Sequence, residues 1–306
     1  MVNLKKPIIK LSIILFVVGI LLSLGLSEID LIRPKNANSN IDLYPKRVIC
    51  SAPSIVEVVY ALGQENRVIG VSDFTIYPPE ALEKDKIGGW INPNFEKVLS
   101  LRPDLVIVQG EMAKYLDFCK DKNIPVLRVD MENLASMYDG IKVIGEALGC
   151  GEKATEIITK TRKELDLIRN ETKNNNMKTN VFITISRRIG SLSGIYTING
   201  TTFINELLNI AGGRNVFEDA SGRYPVISKE SLLVRNPDII IELKPGEEIG
   251  RQDLKTMRND WQAMPTLGAV ASGRIHCVTD DFILMMSPRI TLIARRFYEV
   301  LHDDRY

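Results

Sequence analysis

The chain has 306 residues and a formal net charge of +1, and 45% of its residues are hydrophobic. This length suffices for two domains that each bury a core, and the composition is typical of a globular protein. The near-neutral charge, without a basic stripe that carries interleaved aromatic residues, argues against a nucleic-acid-binding protein.

The N-terminus has the layout of an export signal. Several lysines precede an apolar run over residues 11–26, which is the order of a positive n-region and an apolar h-region. We therefore predict an extracytoplasmic protein, in the periplasm or on the outer face of the cytoplasmic membrane. Residues 1–26 are then either a cleaved signal peptide or a membrane anchor. No cysteine directly follows the run, so lipid attachment is not expected, and residues 27–45 predict a polar linker.

From residue 46 onward, short apolar strands alternate with helical segments. This βαβ rhythm predicts a parallel sheet with helices on its faces, in an N-terminal lobe that spans residues 46–150. Strands are predicted at 48–50, 68–71, 105–108 and 126–129, and helices at 54–62, 79–83, 95–100 and 112–122.

A long amphipathic helix follows this lobe. Ala154, Thr161 and Leu165 recur at helical spacing in a stretch without Pro or Gly, which predicts a stiff connecting helix over residues 151–174. The rhythm resumes in a C-terminal lobe, residues 177–306. The predicted fold class is α/β, with two lobes that each contain a central, mostly parallel sheet flanked by helices. C-terminal strands are predicted at 181–185, 239–243 and 275–278, and helices at 202–211 and 290–301.

One sequence pattern occurs twice, once in each predicted lobe. An N-cap residue precedes Glu96 and Glu230 by two positions, and a Pro-Asp pair and an apolar strand follow at the same offset. Each helix is expected to end before its proline. A helix dipole favours an acid in the first turn by about 0.3–1 kcal/mol, which is a purely structural interpretation of either glutamate. The repeat predicts two similar lobes, typical of a protein that closes on a ligand.

Catalytic and metal-binding motifs are missing from the sequence. The two histidines, His276 and His302, form no HExxH motif. In Gly190–Gly194, Leu192 occupies the position that a nucleophile elbow gives to serine. We therefore predict a binding protein without catalytic residues, metal site or cofactor, and keep an exported α/β hydrolase as a distant alternative. The four cysteines have spacings that favour unpaired, buried thiols.

From Arg47 to the C-terminus, the chain resembles the periplasmic substrate-binding proteins of ABC importers for cobalamin and iron complexes. The resemblance is carried by residues 47–54 with Glu57, by both Glu…Pro-Asp copies, and by Ser287-Pro288-Arg289. It implies a monomer that holds its ligand between two lobes joined by one helix and that closes little. It also implies an ABC permease dimer with ATPase subunits as partner, with Glu96 and Glu230 each docking on one permease subunit.

Within this family, the cobalamin binders are the most similar in their aromatic loops. A planar macrocycle is bound by flat apolar faces with a few polar groups at its edge. The alternative for each aromatic residue is that it packs only within its own lobe. The resemblance implies ligand contacts by Phe74, Trp90, Tyr224, Asp281 and Phe282.

Arg187 and Arg188 are compatible with two classes of ligand, a corrinoid and an anionic iron complex. They follow a predicted strand at its carboxyl end, where ligands of open α/β sheets bind. Two guanidinium groups suit an anionic ferric siderophore or haem, but also the phosphate of cobalamin, or they point to solvent. We predict a corrinoid ligand, with a ferric siderophore or haem as the alternative.

Overall fold

The computed structural model describes residues 44–173 and 178–302. The predicted export segment and nearly all of the predicted linker lie outside these residues. Within them, none of the helices combines the length and the apolar character that a membrane crossing requires.

The N-terminal lobe is built on a five-stranded sheet with the strand order β3-β2-β1-β4-β5. Its paired strands are all parallel, as the βαβ pattern predicts. The segment Pro79–Glu83, predicted as helical, forms a 3-10 helix. The elements are β1 (Val48–Cys50), α1 (Pro53–Ala61), β2 (Val68–Val71), β3 (Asp85–Lys86), α2 (Phe95–Ser100), β4 (Leu105–Gln109), α3 (Ala113–Asp121), β5 (Val126–Val129) and α4 (Leu134–Ala147).

A single helix, α5 (Gly151–Thr172), leads from this lobe to the next. Its buried face carries Ala154, Thr161, Leu165 and Ile168, which are spaced by three or four residues and so lie on one side of the helix. The predicted connecting helix is therefore present, and its last turn ends two residues before the predicted boundary.

The C-terminal lobe contains a six-stranded sheet, in which five strands follow the order β11-β10-β6-β7-β9 and β8 pairs with β6. Strand β7 is antiparallel to both β6 and β9, so this sheet is mixed. The elements are β6 (Thr179–Ser186), β7 (Ile195–Thr197), α6 (Phe203–Ile210), β8 (Gly213–Asn215), β9 (Val226–Ile227), α7 (Lys229–Arg235), β10 (Ile239–Leu243), α8 (Arg251–Trp261), α9 (Gly268–Ala271), β11 (Ile275–Val278) and α10 (Ile290–His302).

The apolar interior is continuous between the two lobes. One cluster of buried side chains includes Ile107 of β4, Leu165 of α5, Ile183 of β6 and Phe297 of α10. Because packed interiors resist deformation, a large hinge motion would have to disrupt this cluster. The architecture confirms the predicted α/β fold class with two lobes.

The sequence repeat corresponds to a structural repeat that begins at two capped helices. The Asn94 side-chain oxygen accepts a hydrogen bond from the Lys97 backbone N–H at 2.9 Å, at the start of α2. The Ser228 hydroxyl accepts one from the Ser231 backbone N–H at 3.1 Å, at the start of α7. Both predicted N-caps are therefore confirmed.

Both copies also end in the same way. The residue before each proline, Arg102 or Asn236, has a positive φ, 48° or 39°, so the helix stops there as expected. The side chain of the aspartate after each proline then accepts a hydrogen bond from the backbone at the start of the neighbouring strand. Asp104 Oδ1 accepts a hydrogen bond from the Arg47 N–H at 2.8 Å, and Asp238 Oδ2 accepts one from the Asn180 N–H at 3.0 Å. The Pro-Asp pair thus sets where each central strand pair begins.

The four cysteine thiols are free. Cys50 and Cys119 are buried, and Cys150 and Cys277 are half-buried. Burial raises the pKa of Cys119 and Cys277 to about 11, so these thiols are protonated and unreactive at neutral pH. The prediction of unpaired thiols is confirmed, and the prediction that they are buried holds for Cys50 and Cys119 but not for Cys150 and Cys277.

His276 in β11 is a neutral, buried histidine. Its side chain is 6% exposed, and its Nε2 atom has no hydrogen-bond partner. Burial, with smaller contributions from Arg274 and Arg258, lowers its pKa from 6.5 to about 4. Because the folded state binds this proton less readily than the unfolded state, the stabilisation is complete above pH 6.5 and is lost as the pH falls toward 4.

We expect this histidine to make the free energy of unfolding fall by about 2 kcal/mol between pH 7.5 and pH 5. Urea unfolding at both pH values, on the wild type and on His276→Asn, measures the difference. The matched control is His302→Asn, because His302 contacts a backbone carbonyl oxygen, that of Ala211, at 3.1 Å. A His276→Asn variant that keeps the whole pH dependence would contradict the assignment.

Candidate functional site

A cavity of about 950 Å³ lies at the carboxyl ends of the N-terminal strands. Its wall includes the last residue of β4, Gln109, and residues that follow the other strands, among them Ser51 after β1, Ser72 after β2 and Asp130 after β5. Ligands of open α/β sheets bind at this edge, and the volume suits a large organic ligand.

Two exposed aromatic side chains line this cavity. Trp90 and Phe74 are 69% and 67% exposed, and both contribute to the cavity wall. Gly88 and Gly89 shape the loop that carries Trp90. Gly88 has a φ of +84°, and a Cβ on Gly89 would lie 2.5 Å from the Phe74 ring. The glycines thus let the Trp90 loop pack directly on Phe74, and the structure places both predicted aromatics together.

The polar rim of the cavity is acidic. Glu111, Asp130 and Glu132 line it, and Arg128 is the cation among the lining residues, so the formal charge of the lining is 1 − 3 = −2. Arg128 lies 3.6 Å from Glu111 and 3.4 Å from Asp130, and Arg223 of the C-terminal lobe pairs with Glu132 at 2.7 Å. Three acids thus face two arginines, which leaves the rim with one excess negative charge. Across the described ranges, no group of three or more His, Cys, Asp or Glu side chains is placed to hold a metal ion.

Tyr224 of the C-terminal lobe does not line this cavity, but its neighbour Arg223 contacts Glu132, which does. The Arg223 guanidinium donates to Glu132 Oε2 at 2.7 Å and to the Glu132 carbonyl oxygen at 2.8 Å. The same guanidinium lies 6.0 Å from the centre of the Tyr224 ring. Tyr224 is 48% exposed, so its ring is available to a ligand.

The structure buries Arg187 in the C-terminal lobe. Its guanidinium forms ion pairs with Glu242 at 2.8 Å and Asp260 at 2.7 Å, and its side chain is 3% exposed. The Trp261 indole N–H donates to the same Glu242 carboxylate at 2.6 Å. Arg187 therefore neutralises two acids in the C-terminal lobe and does not line the cavity, and its contact with a ligand stays a prediction. Arg188 is exposed, and its contact with an anion stays a prediction.

Asp281 and Phe282 belong to a cluster around Arg289 that joins the lobes. The Arg289 guanidinium donates to both Asp281 oxygens, at 3.2 and 3.1 Å. It also forms a bidentate pair with Glu57 of α1, in which Nε lies 2.9 Å from Oε2. The rings of Tyr77 and Phe282 lie 3.7 and 5.4 Å from the guanidinium. The resemblance singled out Glu57 and Arg289, but the sequence did not reveal that they contact each other across the lobes.

The two repeated glutamates lie on the surface. Glu96 and Glu230 are both exposed, and each is the second residue of its helix, α2 or α7. The backbone N–H of Glu230 and the Ser228 side chain lower the pKa of the Glu230 carboxyl, so it is ionised at neutral pH. Neither glutamate lines the cavity.

Residues 48–280 match the family model described as periplasmic binding protein. An uncharacterised ABC transporter substrate-binding lipoprotein of Bacillus subtilis is 30% identical over 278 residues, which cover 89% of this chain and 84% of the relative. A vitamin B12-binding protein of Photorhabdus laumondii is 26% identical over 262 residues, which cover 85% of this chain and 89% of the relative.

A solved structure of similar fold is that of a possible iron-binding (periplasmic solute-binding) protein from Staphylococcus epidermidis. It superposes with a TM-score of 0.73 at 28% sequence identity and covers 85% of this chain and 99% of its own. Proteins of this kind bind solutes and are not enzymes, so the hydrolase alternative has no support. With the matched region running through both lobes, the chain belongs to the periplasmic binding protein family.

Proposed function

We propose that the protein is the extracytoplasmic substrate-binding component of an ABC importer. It captures a corrinoid in the cleft between its lobes and delivers it to a permease dimer that carries ATPase subunits. The observation that carries the choice of ligand is the cavity itself, which combines exposed aromatic faces with an acidic, amide-bearing rim.

This combination suits the chemistry of a corrinoid. The macrocycle has broad apolar faces, which stack on aromatic rings such as Trp90 and Phe74. Its edge carries carboxamide groups, whose N–H donors pair with carboxylate and amide oxygens. Glu111, Asp130 and Asn133 line the cavity and provide such acceptors.

The alternative ligand is haem or a ferric siderophore, a class consistent with the designation of the Staphylococcus epidermidis relative. The acidic rim opposes it, because haem propionates and most siderophore complexes bring negative charge of their own. Arg223 offsets one of the rim charges by pairing with Glu132, but Arg187 offsets none, since it is buried with two acids. Met112 and Met131, the thioethers in the lining, are only 6% and 3% exposed and so offer little access to an iron centre.

Docking on the permease is assigned to Glu96 and Glu230. The support is their exposure, their equivalent positions in two lobes, and the steering that exposed charge gives to association. Ligand binding and docking then use different surfaces of the molecule.

Trp90→Ala is expected to weaken hydroxocobalamin binding by about tenfold to a hundredfold, because it removes the largest exposed aromatic face of the cavity. Calorimetric titration measures the change. Trp90→Phe, which keeps a flat apolar ring, is the matched control and should retain most of the affinity. If Trp90→Ala binds as tightly as the wild type, the aromatic wall does not hold the ligand.

A further inference from the structure

Helices α2 and α7 match each other beyond their glutamates. Counted from the first helical residue, the second position is an exposed glutamate in both. The fourth position, Val98 or Leu232, is fully buried at 0% exposure. The fifth position is an exposed leucine in both, Leu99 at 48% and Leu233 at 42% exposure.

An isolated exposed leucine is ordinary on a protein surface. Here the same residue type recurs at the same position of two helices whose caps, ends and strand contacts also match. The leucine follows the glutamate by three positions, so the two side chains are neighbours on one helix face. The adjacent buried residue already anchors each helix to its lobe, so packing within the lobe does not require the leucine.

We propose that Leu99 and Leu233 form the apolar part of the docking surface for the permease dimer. Each lobe offers one carboxylate beside one leucine, and the partner presents the matching patch twice, as a cation beside an apolar recess. The inference rests on the proposed function and adds to it the apolar contacts of docking. A dimer with two-fold symmetry has such a duplicated patch.

A lipid surface is a poorer occupant for the same patches. Bacterial membrane surfaces carry anionic headgroups, and ionised carboxylates beside each leucine are repelled by them. The carboxylates select a cationic partner, and a protein interface accommodates the leucines in apolar recesses at its core.

The test is a double variant, Leu99→Ala with Leu233→Ala, titrated against the cognate permease–ATPase complex in lipid nanodiscs. Each leucine is expected to contribute about tenfold, so the pair loses about a hundredfold in docking affinity. Hydroxocobalamin binding should be unchanged. The matched control is Leu167→Ala with Leu292→Ala, since these leucines of α5 and α10 are 52% and 46% exposed.

The outcomes separate this inference from the proposed function. If the double leucine variant docks like the wild type while Glu96→Ala with Glu230→Ala does not, the leucine assignment is wrong and the glutamate assignment stands. If the glutamate variant also docks normally, the docking assignment itself is wrong. The two single leucine variants should lose similar affinity, and a loss confined to one of them would contradict a partner with two-fold symmetry.

Discussion

A variant in which Glu96 and Glu230 are both alanine is expected to bind its ligand with wild-type affinity and to support no permease-dependent uptake. Both carboxylates are exposed and lie outside the cavity, so ligand contacts stay intact. Loss of two interfacial charge pairs at about 2 kcal/mol or more each reduces docking by at least about a thousandfold. Uptake of labelled cobalamin in cells, with calorimetry on the purified variant, measures both properties.

A control variant tests whether an acid in the first turn of a helix serves only to stabilise that helix. Glu80 and Glu152 also lie in first turns and are exposed, so replacing both with alanine removes similar helix-dipole interactions. Uptake should be normal in that control. Uptake that survives in the Glu96 and Glu230 variant would mean that these acids serve only their helices.

Glu57→Gln is expected to lower the free energy of unfolding by about 3 kcal/mol, because it leaves the Arg289 guanidinium without its ionised partner in a buried place. The side chains of Glu57 and Arg289 are 3% and 16% exposed. Asp281 remains as a second, more exposed partner of Arg289 and limits the loss. Urea unfolding at pH 7.5 measures the effect.

A second ion pair between the lobes provides the matched control. Glu132 pairs with Arg223 at 2.7 Å, and the Glu132 side chain is 64% exposed. Glu132→Gln should therefore cost less than about 1 kcal/mol. If both variants lost the same free energy of unfolding, burial of the Glu57–Arg289 pair would have no special role in stabilising the contact between the lobes.

Local signals explain why much of the fold is predictable from the sequence. The caps at Asn94 and Ser228 and the prolines after α2 and α7 fix helix ends through contacts within a few residues. The sequence did not predict helix α4, because this helix contains Gly140 and Gly145, and glycine normally disfavours a helix. A Cβ on Gly145 would lie 2.5 Å from the Ala154 Cβ of α5, so this glycine permits a close helix crossing that only the tertiary structure shows.

The strands β7, β8 and β9 were also missed. They are two or three residues long, too short to show a period of two, and pairing with other strands defines them.

The site was predictable where loops that are close in sequence form it and not where distant segments meet. Trp90 and Phe74 stand next to glycine-shaped loops and do line the cavity. The ion pairs of Arg187 could not be predicted because its partners, Glu242 and Asp260, are 55 and 73 residues away in the sequence. The acidic rim was missed for the same reason, since its carboxylates follow different strands and come together only at the sheet edge.

Calorimetric titration of the purified protein with hydroxocobalamin, with haemin and a ferric siderophore in parallel, tests the central claim most directly. We expect saturable one-to-one binding of hydroxocobalamin in the nanomolar to low-micromolar range. Tryptophan fluorescence should be quenched in the wild type and much less in Trp90→Phe, where Trp261 is the remaining tryptophan. No heat and no quenching with hydroxocobalamin, together with saturable binding of haemin or the siderophore, would contradict the corrinoid assignment.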